Sequence, residues 1–256
     1  MKTLSTGERF AEFMAIVRRL RNDCPWDREQ THSSIRHSLI EETYETIEAI
    51  EQNDAAHLQS ELGDLLLHIA LHAVMAEEEK AFTIDAVIEG ISDKMIRRHP
   101  HVFGTTTVAD AAEVKQNWER IKVSEGRTSV LDGVPEELPA LLRAHRTQEK
   151  ASKIGFDWSR KEEVWSKVRE EIEELLRAEQ SGAEAQIEEE FGDLLFALVN
   201  YSRFLKVNPE FALRKAVEKF AARFRRVEEE LRKRGKDVTR SSLEEMDRLW
   251  NEGKSS

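Results

Sequence analysis

The sequence predicts an all-α protein of two tandem helical bundles, and three observations carry that expectation. Apolar residues recur at three- and four-residue steps along most of the chain, strand signals are weak throughout, and one pair of helices occurs twice at constant spacing. Composition agrees, because a chain that is 35% charged and holds only 5 prolines in 256 residues suits exposed helices with narrow apolar stripes.

Phe10, Phe13, Met14, Val17 and Leu20 lie on one stripe, so a helix opens the chain, and the CPWD stretch from Cys24 to Asp27 breaks it. Helical periodicity runs from Ser34 to about Ile50 and again from about His57 to Glu79, with the polar run 51–54 between them as a short turn. That pattern is a helical hairpin. A further helix over Ile84–Arg98 stops ahead of Pro100, because proline disfavours helix in the residue before it. The β-branched stretch Thr105–Val108 follows Gly104 and reads as loop. Between Ser124 and Pro139 the chain holds two glycines and two prolines, which divides it into an N-terminal domain 1–123, a linker 124–138 and a C-terminal domain 139–256. Pro139 suits the first turn of the helix that follows.

Charge and cysteine content exclude several classes. A net charge of −11 opposes long-range attraction to nucleic acid or an anionic membrane, so neither is expected as a partner. The single cysteine, Cys24, allows no intrachain disulfide and fits a reducing compartment. The opening residues lack the sustained apolar core of a signal or anchor, and no stretch nears the roughly 18 apolar residues that span a bilayer. A cytoplasmic protein is expected.

The repeat carries the chemistry. Glu41 and Glu170, Glu42 and Glu171, and Glu45 and Glu174 each stand 129 positions apart, and so do Glu61 and Glu190, and Asp64 and Asp193. At about 100° per residue, Glu170, Glu171 and Glu174 share one helix face, and Glu190 and Asp193 share a face of the next helix. Residues level with one another in an antiparallel hairpin have a constant index sum. That rule sets Glu174 opposite Glu190 and Glu171 opposite Asp193 in the second copy, and Glu45 opposite Glu61 and Glu42 opposite Asp64 in the first. Carboxylates gathered beside an apolar run repel one another and resist desolvation unless a cation neutralises them. Oxygen-only donors suit a hard ion, magnesium or manganese. Gly63 and Gly192, just before the aspartates, are poor helix formers whose expected use is close approach of backbone or ligand.

EExxE followed by ExxD, with the second helix continuing GDLLF, resembles the MazG family of all-α nucleoside triphosphate pyrophosphohydrolases. CPWDREQTH (24–32), RRHPHVFG (97–104), SVLDGVPEELPALLRA (129–144), KIGFDW (153–158) and EKFAARFRRVE (218–228) extend the resemblance over nearly the whole chain. It implies hydrolysis of NTPs and dNTPs to the monophosphate and pyrophosphate, with broad base tolerance, Mg2+ dependence (Mn2+ substituting) and a homodimer. It also implies metal ligation by Glu171, Glu174, Glu190 and Asp193, with Glu42, Glu45, Glu61 and Asp64 as a second, weaker site. Nucleotide contacts would come from Lys167, Val168, Arg169, Glu170 and Glu171, from Gln186, Ile187, Glu188 and Glu189 in the turn before the second helix, and from Asp193, Lys219, Arg223 and Trp250. Lys254, one turn after Trp250, is a further phosphate contact.

Lys219 and Arg223, four residues apart, can direct two cations to one spot, or belong to a solvated basic face. Trp250 reads as a base-stacking ring or as a packing anchor. Glu170, outside the ligand set, is the candidate to orient or deprotonate the attacking water. Ser38 stands where the second copy has Lys167, and the family resemblance favours the C-terminal copy as the main catalyst. The competing function is a non-catalytic nucleotide-binding regulator. A ferritin-like di-metal oxidase would need Glu-x-x-His motifs, and the repeat counterpart of His68 is Ala197, so His68 reads as a packed side chain.

Overall fold

A computed structural model of the chain describes residues 4–111, 113–114, 117–118, 121 and 129–253. The expected domain boundary after residue 123 and Lys254 lie outside the described residues. Among those residues there is no strand, so the all-α expectation holds. The chain forms two compact units, Met1–Val114 and Lys115–Ser256.

In the first unit the chain runs through α1 (Thr6–Asp23), α2 (Pro25–Glu29), α3 (Arg36–Gln52), α4 (Ala55–Glu78), α5 (Ile84–Arg98) and α6 (Pro100–Phe103). Ser5 and Glu8 form a capping box that satisfies the first free N–H groups of α1. The CPWD stretch does end α1, with Cys24 extended, but Pro25 then opens the short helix α2 where the sequence predicts only a break. Proline at the first helical position needs no N–H and brings a helix-ready φ. Met14 and Val17 of the opening stripe are buried with Ile35, Leu71, Val74, Met75 and Ile84, whereas Leu20 stays exposed. His68 is buried on α4, as a packed side chain requires.

The second unit holds α7 (Ala140–Ser152), α8 (Lys161–Ser181), α9 (Glu184–Phe204), α10 (Pro209–Lys233), a 3-10 turn at Val238–Arg240 and α11 (Leu243–Glu252). The α8–α9 hairpin is its most extensive pairing, with α7 against α9 and α10 against α11. The repeat extends to backbone conformation. Asn53 ends α3 with φ 55°, and its counterpart Gly182 ends α8 with φ 70°. Both are left-handed caps, the conformation glycine and asparagine tolerate best, and each lets the chain reverse within two residues.

A second shared device lies at Arg21 and Lys150, also counterparts in the repeat. Arg21 donates to the carbonyls of Asp27 and Gln30. Buried Lys150 donates to the carbonyls of Asp132 at 2.7 Å and Val130 at 3.3 Å. Each cation pins a neighbouring segment to its helix, Arg21 the short helix α2 that follows and Lys150 a segment that precedes. A charge-assisted hydrogen bond of this kind contributes roughly 1.5–3 kcal/mol. Lys150→Met is therefore expected to lower the melting temperature by several degrees, read by circular dichroism. An unchanged melting temperature would show that the tether contributes nothing.

Both units also expose a matching apolar row: Leu62, Leu66 and Ile69 on α4, and Phe191, Leu195 and Leu198 on α9. Gly63 and Gly192 lie beside these rows. A Cβ at either would meet nothing within 4 Å, so the expected close approach of backbone does not occur among the described residues. Both glycines sit on open helix faces, which leaves space for a ligand as the remaining use.

Candidate active site

The hairpin brings three of the four expected ligands of the second unit together. Glu171 and Glu174 from α8 and Glu190 from α9 offer oxygens that all lie within 4.8 Å of one another. Asp193 stands outside that group, one turn beyond Glu190, but its charge acts on the same spot. Partial desolvation, then the neighbouring charges of Glu174, Asp193 and Glu171, raise the Glu190 carboxyl above its ordinary range. Glu171 is buried at 5% exposure. A partly buried, all-oxygen set of mutually repelling carboxylates from two helices fits a hard divalent cation by the chemistry of its donors.

The first unit repeats this geometry. Glu42, Glu45 and Glu61 form a second group within 4.8 Å. Desolvation, then Asp64, Glu45 and Glu61, raise the Glu42 carboxyl. Asp64 again stands outside the group of three. The surroundings differ. Glu61 is met by His57 Nε2 at 3.2 Å, whereas in the second unit Lys167 Nζ bridges Glu170 at 2.7 Å and Glu171 at 2.8 Å. Those hydrogen bonds hold the Lys167 ammonium well above the ordinary lysine range.

Beside the second cluster lies a cavity of about 660 Å³. Lys167 and Glu171 from α8 and Asp193 from α9 line one part of it. Its apolar walls come from Val130, Leu131, Ile154, Phe156, Trp158 and Phe196. Gln148, Asn200 and an Asp157–Arg203 ion pair of 2.6 Å supply polar groups. A volume in this range accommodates a small-molecule ligand such as a nucleoside. None of Gln148, Asn200, Asp157, Trp158 or Arg203 stood among the site residues expected from sequence. Asn200 had left a trace there, since it interrupts the apolar run of α9 where the first copy has Leu71.

Other expected contacts are distributed differently. Val168 is fully buried, so its side chain is closed to any ligand. Arg169 lies nearly opposite Lys167 and Glu171 on α8, with its Nη2 donating to Ser166 Oγ. Gln186, Ile187, Glu188 and Glu189, expected in the turn, belong to the first turns of α9, because Gly182 and Ala183 are the whole connection between the helices. Glu170 is exposed and held by Lys167, next to the cluster but outside it. Lys219 and Arg223 lie on α10 and are not among the cavity-lining residues. Trp250 packs against Val227, Leu231 and Leu249, its ring 5.0 Å from Phe220 and 5.8 Å from the Arg223 guanidinium, which is the packing reading of that residue.

Fold and site together define an all-α protein bearing two carboxylate hairpins, one of them beside a ligand-sized cavity. The MazG nucleotide pyrophosphohydrolase domain matches the chain twice, over residues 30–103 and 160–231, each match containing one of the hairpins. The chain belongs to this family. It is 45% identical over 253 residues to the nucleoside triphosphate pyrophosphohydrolase/pyrophosphatase MazG of Thermotoga maritima, covering 97% of this chain and 96% of that protein. It is 44% identical over 250 residues to the nucleoside triphosphate pyrophosphohydrolase of Escherichia coli, covering 94% and 95%. Among solved structures it is similar to a mazG-related protein from Thermotoga maritima, with a TM-score of 0.40 and 26% identity over 44% of this chain and 98% of that one. No helix among the described residues is long and apolar enough to cross a membrane.

Proposed function

We propose that this chain hydrolyses nucleoside and deoxynucleoside triphosphates to the monophosphate and pyrophosphate, with broad tolerance of base and with Mg2+ as cofactor, Mn2+ substituting. One observation carries the reading: Glu171 belongs both to the carboxylate cluster and to the wall of the cavity. A nucleoside in the cavity therefore has its phosphates beside the cluster. The family membership and the names of the relatives support the hydrolysis of nucleoside triphosphates.

Glu171, Glu174, Glu190 and Asp193 would hold the cation, which when bound offsets negative charge on the phosphate oxygens. Lys167 fixes Glu170 and Glu171 at once and keeps one positive charge in the cavity lining. Glu170 orients the water, or accepts its proton, as the water oxygen attacks the α-phosphorus and the bond from that phosphorus to the pyrophosphate oxygen breaks. Lys219 and Arg223 supply cations for the leaving pyrophosphate. Lys219 has no ion pair among the described residues, and Arg223 only the ring of Trp250 behind it.

The exposed rows Leu62–Leu66–Ile69 and Phe191–Leu195–Leu198 fit coverage by a second copy, so the reading includes a homodimer, in the cytoplasm. Light scattering should then give twice the chain mass, and a monomer at micromolar concentration would remove the dimer.

The test is chromatography of products from purified protein with Mg2+ and each of the eight standard NTPs and dNTPs. NMP and pyrophosphate are expected from all of them. NDP and orthophosphate would reject attack at the α-phosphorus. Binding with no product would replace the enzyme by a nucleotide-binding regulator.

A further inference from the structure

We infer that Gln148 and Asn200 form an amide pair that reads the nucleobase, and that it selects a base edge carrying one donor beside one acceptor, not a particular base. The inference rests on the nucleotide reading of the cavity, and it assigns a specificity role to two residues outside the carboxylate cluster.

The two amides are fixed in complementary senses by their other contacts. Gln148 is 6% exposed, and its Nε2 donates to the Phe196 carbonyl at 2.8 Å. Its Oε1 is buried in the cavity wall with no hydrogen-bond partner among the described residues. A buried acceptor left in that state is costly, and a ligand N–H would relieve it. Asn200 is 5% exposed, and its Oδ1 accepts from Arg203 Nη1 at 2.6 Å. Arg203 is in turn held by Asp157 through its Nη2 at 2.6 Å. The Asn200 oxygen is therefore engaged, which leaves Nδ2 as the group that can donate to a ligand.

The pair is also local. Gln148 holds the carbonyl of Phe196, one helical turn before Asn200 on α9, and both side chains line the same cavity. The site thus offers one acceptor from α7 and one donor from α9.

Every standard base meets such a pair. Adenine and cytosine carry an amino donor next to a ring-nitrogen acceptor, and guanine, uracil and thymine carry a ring N–H next to a carbonyl. The order of donor and acceptor reverses between the two groups, and a cavity of about 660 Å³ leaves the base room to change register. Broad tolerance then comes from polar recognition common to all bases. The first copy lacks the pair, with Arg19 and Leu71 at the corresponding positions and Leu71 in the core of its unit.

The test compares ATP with purine riboside 5′-triphosphate, which keeps the ring acceptors but has no N–H on that edge. In the intact protein with Mg2+, kcat/KM for pyrophosphate release should favour ATP by about tenfold or more. Gln148→Leu should lower ATP to the level of the analogue while the analogue changes little, with the melting curve reporting whether the variant is folded. Equal use of ATP and the analogue by the unsubstituted protein would overturn the inference without any variant. So would a folded Gln148→Leu that still discriminates. Absence of pyrophosphate from any nucleotide sinks the hydrolytic reading alone. Equilibrium dialysis of the same two uncleaved nucleotides then decides the amide pair, equal affinities overturning it.

Discussion

Glu174→Gln is expected to lower pyrophosphate release by about a thousandfold or more while the chain keeps its fold. A catalytic cation contributes several kcal/mol of transition-state stabilisation, and each 1.36 kcal/mol is tenfold in rate, so weakening its hold removes about three orders of magnitude. Glutamine preserves the shape and one oxygen but removes the charge from a group whose oxygens stand within 4.8 Å of those of Glu171 and Glu190. Stability should not suffer. The ion pair of Glu174 with exposed Arg177, at 3.3 Å, is a surface contact of small worth. Losing one carboxylate also relieves repulsion on Glu190, so the melting temperature in chelator should hold or rise. Product assays and melting curves on the same preparation check both halves. A variant that turns over at the original rate would discard the site, and one that does not fold would show that Glu174 is structural.

Chelation of divalent ions is expected to abolish turnover, and Mg2+ is expected to restore it and to raise the melting temperature more at pH 8 than at pH 5. The sign follows from the raised Glu190 and Glu42 carboxyls, each lifted from 4.5 by desolvation first and by neighbouring carboxylates second. A carboxyl with a raised folded-state pKa binds more protons in the native than in the unfolded chain. The metal-free protein therefore loses this contribution as the pH climbs from about 4.5 through the raised values. A bound cation requires the deprotonated groups and releases their protons, so its stabilising effect grows in the same direction. Thermal scans with and without Mg2+ across that pH range measure it. An increment independent of pH, or larger at pH 5, would mean the ion binds elsewhere.

Much of the fold was legible because helical periodicity and the repeat report local geometry. The α3–α4 and α8–α9 hairpins follow from spacing alone, whereas the equivalent left-handed caps Asn53 and Gly182 that end their first helices appear only in the structure. The short helix α2 was not, since five residues hold too little periodicity and Pro25 reads equally as a breaker or a first-turn residue. Agreement between the copies located the carboxylates but was blind to the rest of the cavity, whose other polar groups are positions where the copies differ. Asn200 against Leu71 and Gln148 against Arg19 carry no periodic signal. What assembles them is the packing of α7 on α9, a contact between segments some fifty residues apart.

The paired apolar rows set a limit on how this protein can be taken apart. Leu62, Leu66 and Ile69 occupy the same register as Phe191, Leu195 and Leu198, so each half carries its own exposed oily seam, and a half that finds no second copy takes it bare into water. Solubility, more than chemistry, therefore fixes the smallest usable fragment. It also constrains divergence: the half with less catalytic duty is free to alter its acidic side chains, but not the outward seam on the helix that bears them.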